Sequence, residues 1–274
     1  MEEIREIDIT RKMEALKQPQ NAVIPESGIN GTGSPVFTTL PDVPVPIAPG
    51  TQQSKTRSRS ISKQSAANAG ALQERCRQLC LSFFFREHAP VRSLGFTSAI
   101  AGEGKSFLTT VMASVLAKDV SDPVTLLECN WEHPCLHEHF GIAATPGVAE
   151  WLRGDCDETD IRHRIDPNLT VIPAGEGRRD AVKLTQQLRQ QDLLAAFTSS
   201  PNELLVVDLP AIVTCAYGSL LASLVESLII VVRAGVTTDR MLVETCAQLK
   251  DLPVEGVILN QMQSKIPRWI RQLL

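Results

Sequence analysis

The segment SAIAGEGKS, residues 98–106, carries residue types that could hold the phosphates of a nucleotide. Gly102 and Gly104 let backbone N–H groups curl around a phosphate, and the Lys105 ammonium can bridge phosphate oxygens. The Ser106 hydroxyl can hold Mg²⁺ at the start of the helix that follows. The predicted ligand contacts come from Gly102, Glu103, Gly104, Lys105, Ser106 and Phe107.

The loop departs from the usual pattern at its first position, where Ala99 stands in place of glycine. That position mainly makes a turn, and alanine fits there as long as its φ stays negative. A plain turn followed by a helix N-cap is the alternative. Phosphate binding is favoured because a predicted strand precedes the loop and a predicted helix follows it.

A second feature, ELLVVDLP at residues 203–210, places Asp208 after a run of apolar residues, at the end of a predicted strand. Ligands of open parallel sheets bind at the carboxyl ends of strands, and a carboxylate there can coordinate Mg²⁺. A helix cap or a turn residue is the alternative for an isolated aspartate. Together with Lys105, the pattern predicts that Ser106 and Asp208 hold the metal ion.

The elements that must position these residues alternate between short apolar strands and helices from residue 69 onward. Six strands are predicted, at residues 93–97, 125–129, 169–174, 204–209, 228–234 and 255–260. Their nearly continuous apolar character is typical of strands that are covered on both faces. We therefore predict an α/β fold, a doubly wound and mostly parallel sheet with helices on both faces.

The N-terminal part has a different composition from this predicted domain, 69–274. Residues 1–18 space apolar side chains as a short amphipathic helix would. Residues 19–68 are rich in Pro, Gly, Ser and Thr, which predicts a disordered tether. Its basic patch, residues 55–63, is interpreted as a solvated linker; contact with anionic lipid or serine phosphorylation is the alternative.

Composition limits the classes of partner. The chain has 274 residues and a formal charge of -4, so no global positive field would gather nucleic acid, and we expect none as a partner. Its seven cysteines lack CxxC spacing and no secretory signal is evident, which predicts reduced thiols in the cytoplasm. The longest apolar stretch, residues 219–235, is too short and too charged to span a bilayer.

From about residue 72 onward, the chain resembles the bacterial tyrosine kinases of capsule and exopolysaccharide synthesis. The motifs occur in the family's order: TSAIAGEGKS, TLLECNWEHPCLHEHFG, TPGVAEWLRGD, LTVIPAGEG, LLVVDLPA, LIIVVRAGVTT and EGVILNQ. The resemblance implies a P-loop NTPase fold that binds ATP and Mg²⁺. It also implies a homo-oligomer and a cytoplasmic protein recruited to the membrane by a polysaccharide chain-length regulator or copolymerase.

The resemblance assigns catalytic roles to Lys105, Glu128 and Asp208, but the surrounding motif departs from the family. Where such kinases have Asp-x-Asp followed by arginine, this chain has ECNWE at residues 128–132. Glu128 keeps a charge on a longer stem, Asn130 has lost it, and Glu132 inverts the sign near the phosphates. We therefore expect catalysis to be weakened.

Other family positions also differ. Tyr217 occupies the place of an expected aspartate, and no tyrosine follows it, so we expect no autophosphorylation of a tyrosine-rich tail. The Glu-x-x-Arg-x-x-Arg pattern, associated with ring-like oligomers, stands here as Glu74, Arg77 and Cys80. Asn260 matches a position where related ATPases read adenine, although a turn-forming role is equally expected.

Two segments allow a second interpretation. HPCLHEH, residues 133–139, would align four metal-capable side chains on a strand, whereas the resemblance makes it a loop and a short helix without a metal site. The C-terminal IPRWIRQLL could lie on a membrane, although a helix packed on the domain is favoured.

The prediction for function is an ATP-binding, kinase-like regulatory subunit of exopolysaccharide or capsule polymerisation and export, with weak or absent tyrosine kinase activity. An active ATPase or protein-tyrosine kinase acting on another protein, with Glu128 replacing the family aspartate, is the first alternative. A scaffold that binds no nucleotide is the second.

Overall fold

The computed structural model describes residues 36–39, 58–85 and 90–261, with side chains for residues 70–85 and 90–261. These residues form one eight-stranded sheet and the helices that accompany it. The strands are β1 (Val36–Thr39), β2 (Ser93–Ser98), β3 (Val124–Glu128), β4 (His163–Asp166), β5 (Leu169–Ile172), β6 (Leu204–Ala211), β7 (Ser227–Arg233) and β8 (Val254–Asn260).

The order of the strands across the sheet is β1-β8-β7-β2-β6-β3-β5-β4. All neighbouring strands pair in parallel except β4, which runs antiparallel to β5. β3 carries Glu128, β6 carries Asp208 and β2 leads into the glycine-containing loop, and these three strands are adjacent at the centre of the sheet. Every residue of these three strands is buried.

The described helices are α1 (Ser58–Phe84), α2 (Lys105–Asp119), α3 (Leu136–Phe140), α4 (Val148–Arg153), α5 (Ala181–Leu188), α6 (Leu193–Phe197), α7 (Gly218–Ala222) and α8 (Asp239–Gln248). A 3₁₀ turn covers Glu158–Ile161. Within the described part of the chain, no helix has the length and apolar character needed to cross a bilayer.

Two hydrophobic cores lie on the two sides of the sheet, because successive residues of a strand point to opposite faces. In β6, Leu205 and Val207 belong to one core, whereas Leu204 and Val206 belong to the other, together with side chains of α1 and α2. This double coverage is the reason that the central strands read as continuous apolar runs. The predicted α/β fold, mostly parallel and covered on both faces, is confirmed.

Two described elements lie inside the segment 19–68, which we expected to lack secondary structure. β1 pairs with β8 and is itself an edge strand of the sheet, and its sequence VFTT is rich in β-branched and aromatic residues. α1 begins at Ser58, ahead of the predicted domain start at residue 69, because residues 58–69 contain neither proline nor glycine. The rest of 19–68, the predicted helix at 1–18 and the segment IPRWIRQLL lie outside the described residues.

β4 is a further strand that the sequence did not predict. Its residues, HRID, alternate between half-buried and exposed, as expected for a polar strand at the edge of a sheet. A continuous apolar run indicates a strand that is covered on both faces, and the polar edge strand β4 has no such run.

Where α1 packs on α2, contacts within the chain are made by the residues of the pattern associated with ring-like oligomers, Glu74, Arg77 and Cys80. The Arg77 Nε atom lies 2.5 Å from Asp119 Oδ2 at the end of α2, and its guanidinium also pairs with Glu74. Cys80 is buried, with its sulfur 3.8 Å from the carbonyl oxygen of Met112. These contacts join the two helices, and a role for the pattern in assembly stays a prediction.

Two phenylalanines on either side of the end of α1 test this packing. Phe83 is buried in the core with α2, whereas Phe85 is 45% exposed. We expect Phe83→Ala to lower the free energy of unfolding by about 3–5 kcal/mol, because it removes a buried ring and leaves a cavity. The matched change Phe85→Ala should cost no more than about 0.5 kcal/mol. Chemical denaturation measures both, and equal losses would contradict the packing.

Candidate functional site

The loop between β2 and α2 has the backbone shape that a phosphate-binding loop needs. Gly102 and Gly104 adopt φ values of 83° and 90°, in the left-handed region that favours glycine. Gly104 also leaves no room for a side chain, because a Cβ atom there would lie 2.2 Å from Asn260 Nδ2. The loop ends at Lys105, where α2 begins, so the first N–H groups of α2 face the loop.

Ala99 is accommodated at the first position of the loop. It is buried, and the one non-glycine residue with positive φ in the described chain is Gln261. The φ of Ala99 is therefore one that alanine adopts without strain. The replacement of glycine at this position does not disturb the loop.

Glu103 directs its carboxylate into the protein. One carboxylate oxygen accepts the N–H of Ile100 at 2.8 Å, and the other accepts the hydroxyl of Thr237. The side chain is buried, with 1% exposure, so it fixes the loop against the segment that follows β7. The nucleotide contact that we predicted for Glu103 would therefore come from its backbone N–H.

Asn260 and Phe107 also make contacts within the protein. The Asn260 amide nitrogen donates to the carbonyl oxygen of Glu103 at 2.9 Å, and its amide oxygen accepts the N–H of Gln261 at 2.9 Å. Phe107 packs its ring against the core that contains α1 and α2. Asn260 thus ties β8 to the loop, and its contact with adenine stays a prediction.

Asp208 lies in the middle of the sheet, beside the loop. It pairs in register with Phe96 of β2 and Glu128 of β3, and the strand continues beyond it to Ala211, so the prediction that Asp208 ends the strand is wrong. The strand is longer than predicted because Pro210 does not interrupt it. Both carboxylate oxygens are buried and accept no hydrogen bond from the described residues.

The charges around Asp208 favour a cation. Burial raises the pKa of Asp208, while the nearby Lys105 ammonium and Ser106 hydroxyl act in the opposite direction. Lys105 is itself buried, and its Nζ atom lies 3.4 Å from the Ser106 hydroxyl. The structure therefore brings together the three residues that we predicted to bind phosphate and metal.

Glu128 ends β3, next to Asp208, and is satisfied by the backbone. Its Oε1 atom accepts the N–H groups of Cys135 and Leu136 at 2.6 and 3.0 Å, and its Oε2 atom accepts that of Ala174 at 3.2 Å. Burial, followed by the negative charge of Asp208, raises the pKa of Glu128 to about 7, although these three hydrogen bonds lower it. Glu128 therefore fixes the start of α3 to the sheet.

Asn130 and Trp131 of ECNWE are buried, whereas Glu132 is partly exposed. Asn130 donates its amide to the carbonyl oxygen of His133 at 3.1 Å, and the buried Trp131 indole donates to that of Ala174 at 2.9 Å. The Tyr217 hydroxyl lies 3.1 Å from a carboxylate oxygen of Glu132. Since Tyr217 stands where an aspartate was expected, these replacements interact with one another.

HPCLHEH contributes one residue to the site. Residues 136–140 form α3, so the histidines do not align on one face as they would on a strand. His139 bonds back to the carbonyl oxygen of Cys135 through its Nδ1 atom, at 2.8 Å. Cys135, at the start of α3, instead places its sulfur near carboxylate oxygens of Glu128 and Asp208.

Comparisons with known proteins identify relatives of this chain. It is 26% identical over 238 residues to the tyrosine-protein kinase ptk of Acinetobacter johnsonii, which covers 84% of this chain and 31% of ptk. It is 24% identical over 171 residues to the tyrosine-protein kinase etk of Escherichia coli K12, with 61% and 23% covered. The chain is a relative of the bacterial tyrosine-protein kinases.

Solved kinase domains have a similar fold. The kinase domain of Escherichia coli ETK superposes with a TM-score of 0.65 at 17% identity, covering 84% of this chain and 92% of that domain. The VpsO kinase domain gives a TM-score of 0.60 at 22% identity, covering 75% and 100%. No protein-family model matches the chain. The chain spans less than a third of the length of ptk and etk, so it corresponds to part of these kinases.

Two contacts at the candidate site of this kinase relative were not predicted from the sequence. They are the contact of the Cys135 sulfur with the carboxylates and that of the Glu103 carboxylate with the loop. Cys135 was considered only with the histidines around it, because its proximity to Asp208 depends on the turn between β3 and α3. The ligand contact of Glu103 stays a prediction, and the role of its carboxylate in stabilising the loop was not predicted. The sequence holds one signal for Glu103, since an acid between two loop glycines needs a partner if it is buried.

The pKa of Glu128 makes the stability of this kinase relative depend on pH. The folded-state pKa of about 7 lies above the ordinary value of 4.5, so the contribution of Glu128 is fully present below pH 4.5 and is lost as the pH rises to about 7. Over this pH range, Glu128 should lower the free energy of unfolding by on the order of 3 kcal/mol. We expect this decline to be absent in Glu128→Gln. Denaturation between pH 4.5 and 8 measures it.

The matched control is Glu244→Gln, which changes an exposed carboxylate on α8. It should leave the pH profile as in the unmodified chain. A decline in stability that is the same in Glu128→Gln and in the unmodified chain would show that Glu128 has no raised pKa.

Proposed function

We propose that this chain binds ATP with Mg²⁺ at the loop between β2 and α2. The observation that carries the proposal is the pair of buried, unpartnered carboxylate oxygens of Asp208 beside Lys105 and Ser106. Gly102 and Gly104 supply the backbone shape, and Lys105 supplies the positive charge for phosphate oxygens.

A divalent cation fits the donors that are present. A buried carboxylate without hydrogen bonds costs free energy, and a cation coordinated by Asp208 and Ser106 would offset that cost. When bound, Mg²⁺ neutralises charge on the phosphates. Lys105 would orient the phosphates from the other side, and the Glu103 carboxylate would hold the loop in shape around them.

We further propose that the chain acts as a regulatory subunit with weak or absent tyrosine kinase activity. Activation of an attacking hydroxyl needs a carboxylate that is free to accept a proton. Both oxygens of Glu128 accept backbone N–H groups, and Asn130 carries no charge. Glu132 would repel the phosphates if it approached them, and its contact with the Tyr217 hydroxyl is consistent with a structural role.

The cellular role that we propose follows from the resemblance to the kinases. A catalytically weak relative would regulate exopolysaccharide or capsule polymerisation and export by contacting a membrane-bound chain-length regulator or copolymerase from the cytoplasmic side. Assembly into a homo-oligomer is part of the same proposal. Nucleotide binding would then control these contacts rather than supply phosphate.

An active ATPase or protein-tyrosine kinase is the second candidate. It is favoured by the pKa of Glu128, because a carboxyl with a pKa of about 7 suits a general base at neutral pH. Transfer of labelled phosphate from ATP to a tyrosine-containing protein, lost in Glu128→Gln, would establish this candidate. Transfer at background level would support the regulatory role.

Thermal unfolding with ATP and Mg²⁺ tests nucleotide binding. At 100 times its dissociation constant, the nucleotide should add about 2.7 kcal/mol to the free energy of unfolding. We expect Lys105→Ala to lose most of this stabilisation, because the ammonium that meets the phosphates is gone.

The control is Lys118→Ala, which removes an exposed lysine near the end of the same helix, α2. It should keep the full stabilisation by ATP. If ATP does not stabilise the unmodified chain at all, the chain is a scaffold without nucleotide and the proposal fails.

A further inference from the structure

Cys135 adds a sulfur donor to the candidate cation site. Its Sγ atom and one carboxylate oxygen each of Glu128 and Asp208 all lie within 4.8 Å of one another. The three residues come from the loop before α3, from the end of β3 and from β6. The cluster is distinct from the donors that the loop itself supplies.

The position of Cys135 is fixed by the backbone. Its N–H donates to Glu128 Oε1 at 2.6 Å, and its carbonyl oxygen accepts the backbone N–H of His139 at 3.2 Å and lies 2.8 Å from the His139 Nδ1 atom. These bonds fix the backbone of Cys135, and its half-buried sulfur lies beside the two carboxylates. It is therefore part of a preformed set of donors.

The charge balance of the cluster calls for a cation. Asp208 has no hydrogen-bond partner among the described residues, and Glu128, its neighbour across the sheet, is fully buried. Lys105 is the one cation whose charge is felt by both Asp208 and Cys135. Two buried carboxylates beside one ammonium leave room for a divalent ion.

The distances suit one ion. Ligands bound at about 2.0–2.3 Å in a tetrahedron stand about 3.5 Å apart. Donors that already lie within 4.8 Å of one another need to move by only about 1 Å to reach this spacing. The Oε2 atom of Glu128 can bind an ion and still accept the N–H of Ala174, since it has two lone pairs, whereas Oε1 already accepts two N–H groups.

We propose that Cys135, Asp208 and Glu128 form a site for a thiophilic divalent cation of the zinc class. Thiolate ligands favour Zn²⁺, whereas a site made of carboxylate and hydroxyl oxygens alone suits Mg²⁺. Cys135 thus determines which cation the site selects, and its proton leaves to solvent when the ion binds. The inference rests on the metal-binding half of the proposed function and is independent of ATP.

Titration of the full chain with Zn²⁺ in the absence of nucleotide tests the inference. Isothermal titration calorimetry should detect one high-affinity equivalent, and Cys135→Ser should weaken it at least tenfold. The matched control is Cys246→Ser, a half-buried cysteine on α8, which should bind Zn²⁺ as the unmodified chain does. Unchanged affinity in Cys135→Ser would overturn the inference.

Co²⁺ provides a second readout that identifies the sulfur. Bound to the unmodified chain, Co²⁺ should give a thiolate-to-metal charge-transfer band, retained in Cys246→Ser and lost in both Cys135→Ser and Asp208→Asn. Zn²⁺ binding without this band would assign the ion to the histidines of α3 instead and overturn the inference. The band on the unmodified chain shows that a thiolate binds the ion, and its loss in Cys135→Ser but not in Cys246→Ser assigns that thiolate to Cys135.

The two proposals fail in different ways. If ATP gives no stabilisation but Zn²⁺ binding depends on Cys135, the proposed nucleotide binding is wrong and the cation site stands. If ATP and Mg²⁺ stabilise the chain while the affinity for Zn²⁺ does not depend on Cys135, the nucleotide site stands and this inference is wrong.

Discussion

The site depends on a carboxylate, Asp208, that the fold buries without giving it a hydrogen bond. Its side chain is fully buried on a face of the sheet, so bulk water does not solvate the charge. Such a group costs stability unless a cation compensates for it, and Lys105 supplies one positive charge. The arrangement is typical of a site that becomes electrostatically complete only when its ligand binds.

The residues around Asp208 differ from it in having hydrogen-bond partners within the protein. Glu128, the neighbouring carboxylate, accepts three backbone N–H groups and positions α3. Asn130, Trp131 and Glu132 likewise bond to protein groups. The residues of ECNWE therefore have partners within the protein, whereas the carboxylate oxygens of Asp208 have none among the described residues. This contrast is the physical basis for proposing binding without efficient phosphate transfer.

The parallel sheet and the loop could be predicted because their signals are local. A buried parallel strand needs a continuous apolar run, and positive φ at two positions needs glycine, so LLVVD and GEGKS indicate their own structures. The strand β4 and the contacts of Cys135 and Glu103 could not be predicted in this way. Each depends on a partner that is distant in sequence, such as Thr237 for Glu103, and single-sequence patterns carry no information on such pairs.

The sulfur of Cys135 links the choice of cation to the weak catalysis that we propose. A phosphoryl-transfer site needs an ion that exchanges its ligands readily and keeps several waters, as Mg²⁺ does. A zinc-class ion bound by thiolate and two carboxylates would occupy Asp208 and leave it less able to hold Mg²⁺ for a nucleotide. Cation binding at Cys135 would then compete with ATP and Mg²⁺ through a shared ligand. By linkage, binding of the zinc-class ion would weaken the binding of ATP with Mg²⁺, and the reverse, by the same factor. The occupancy of the site would then depend on the metal supply of the cell.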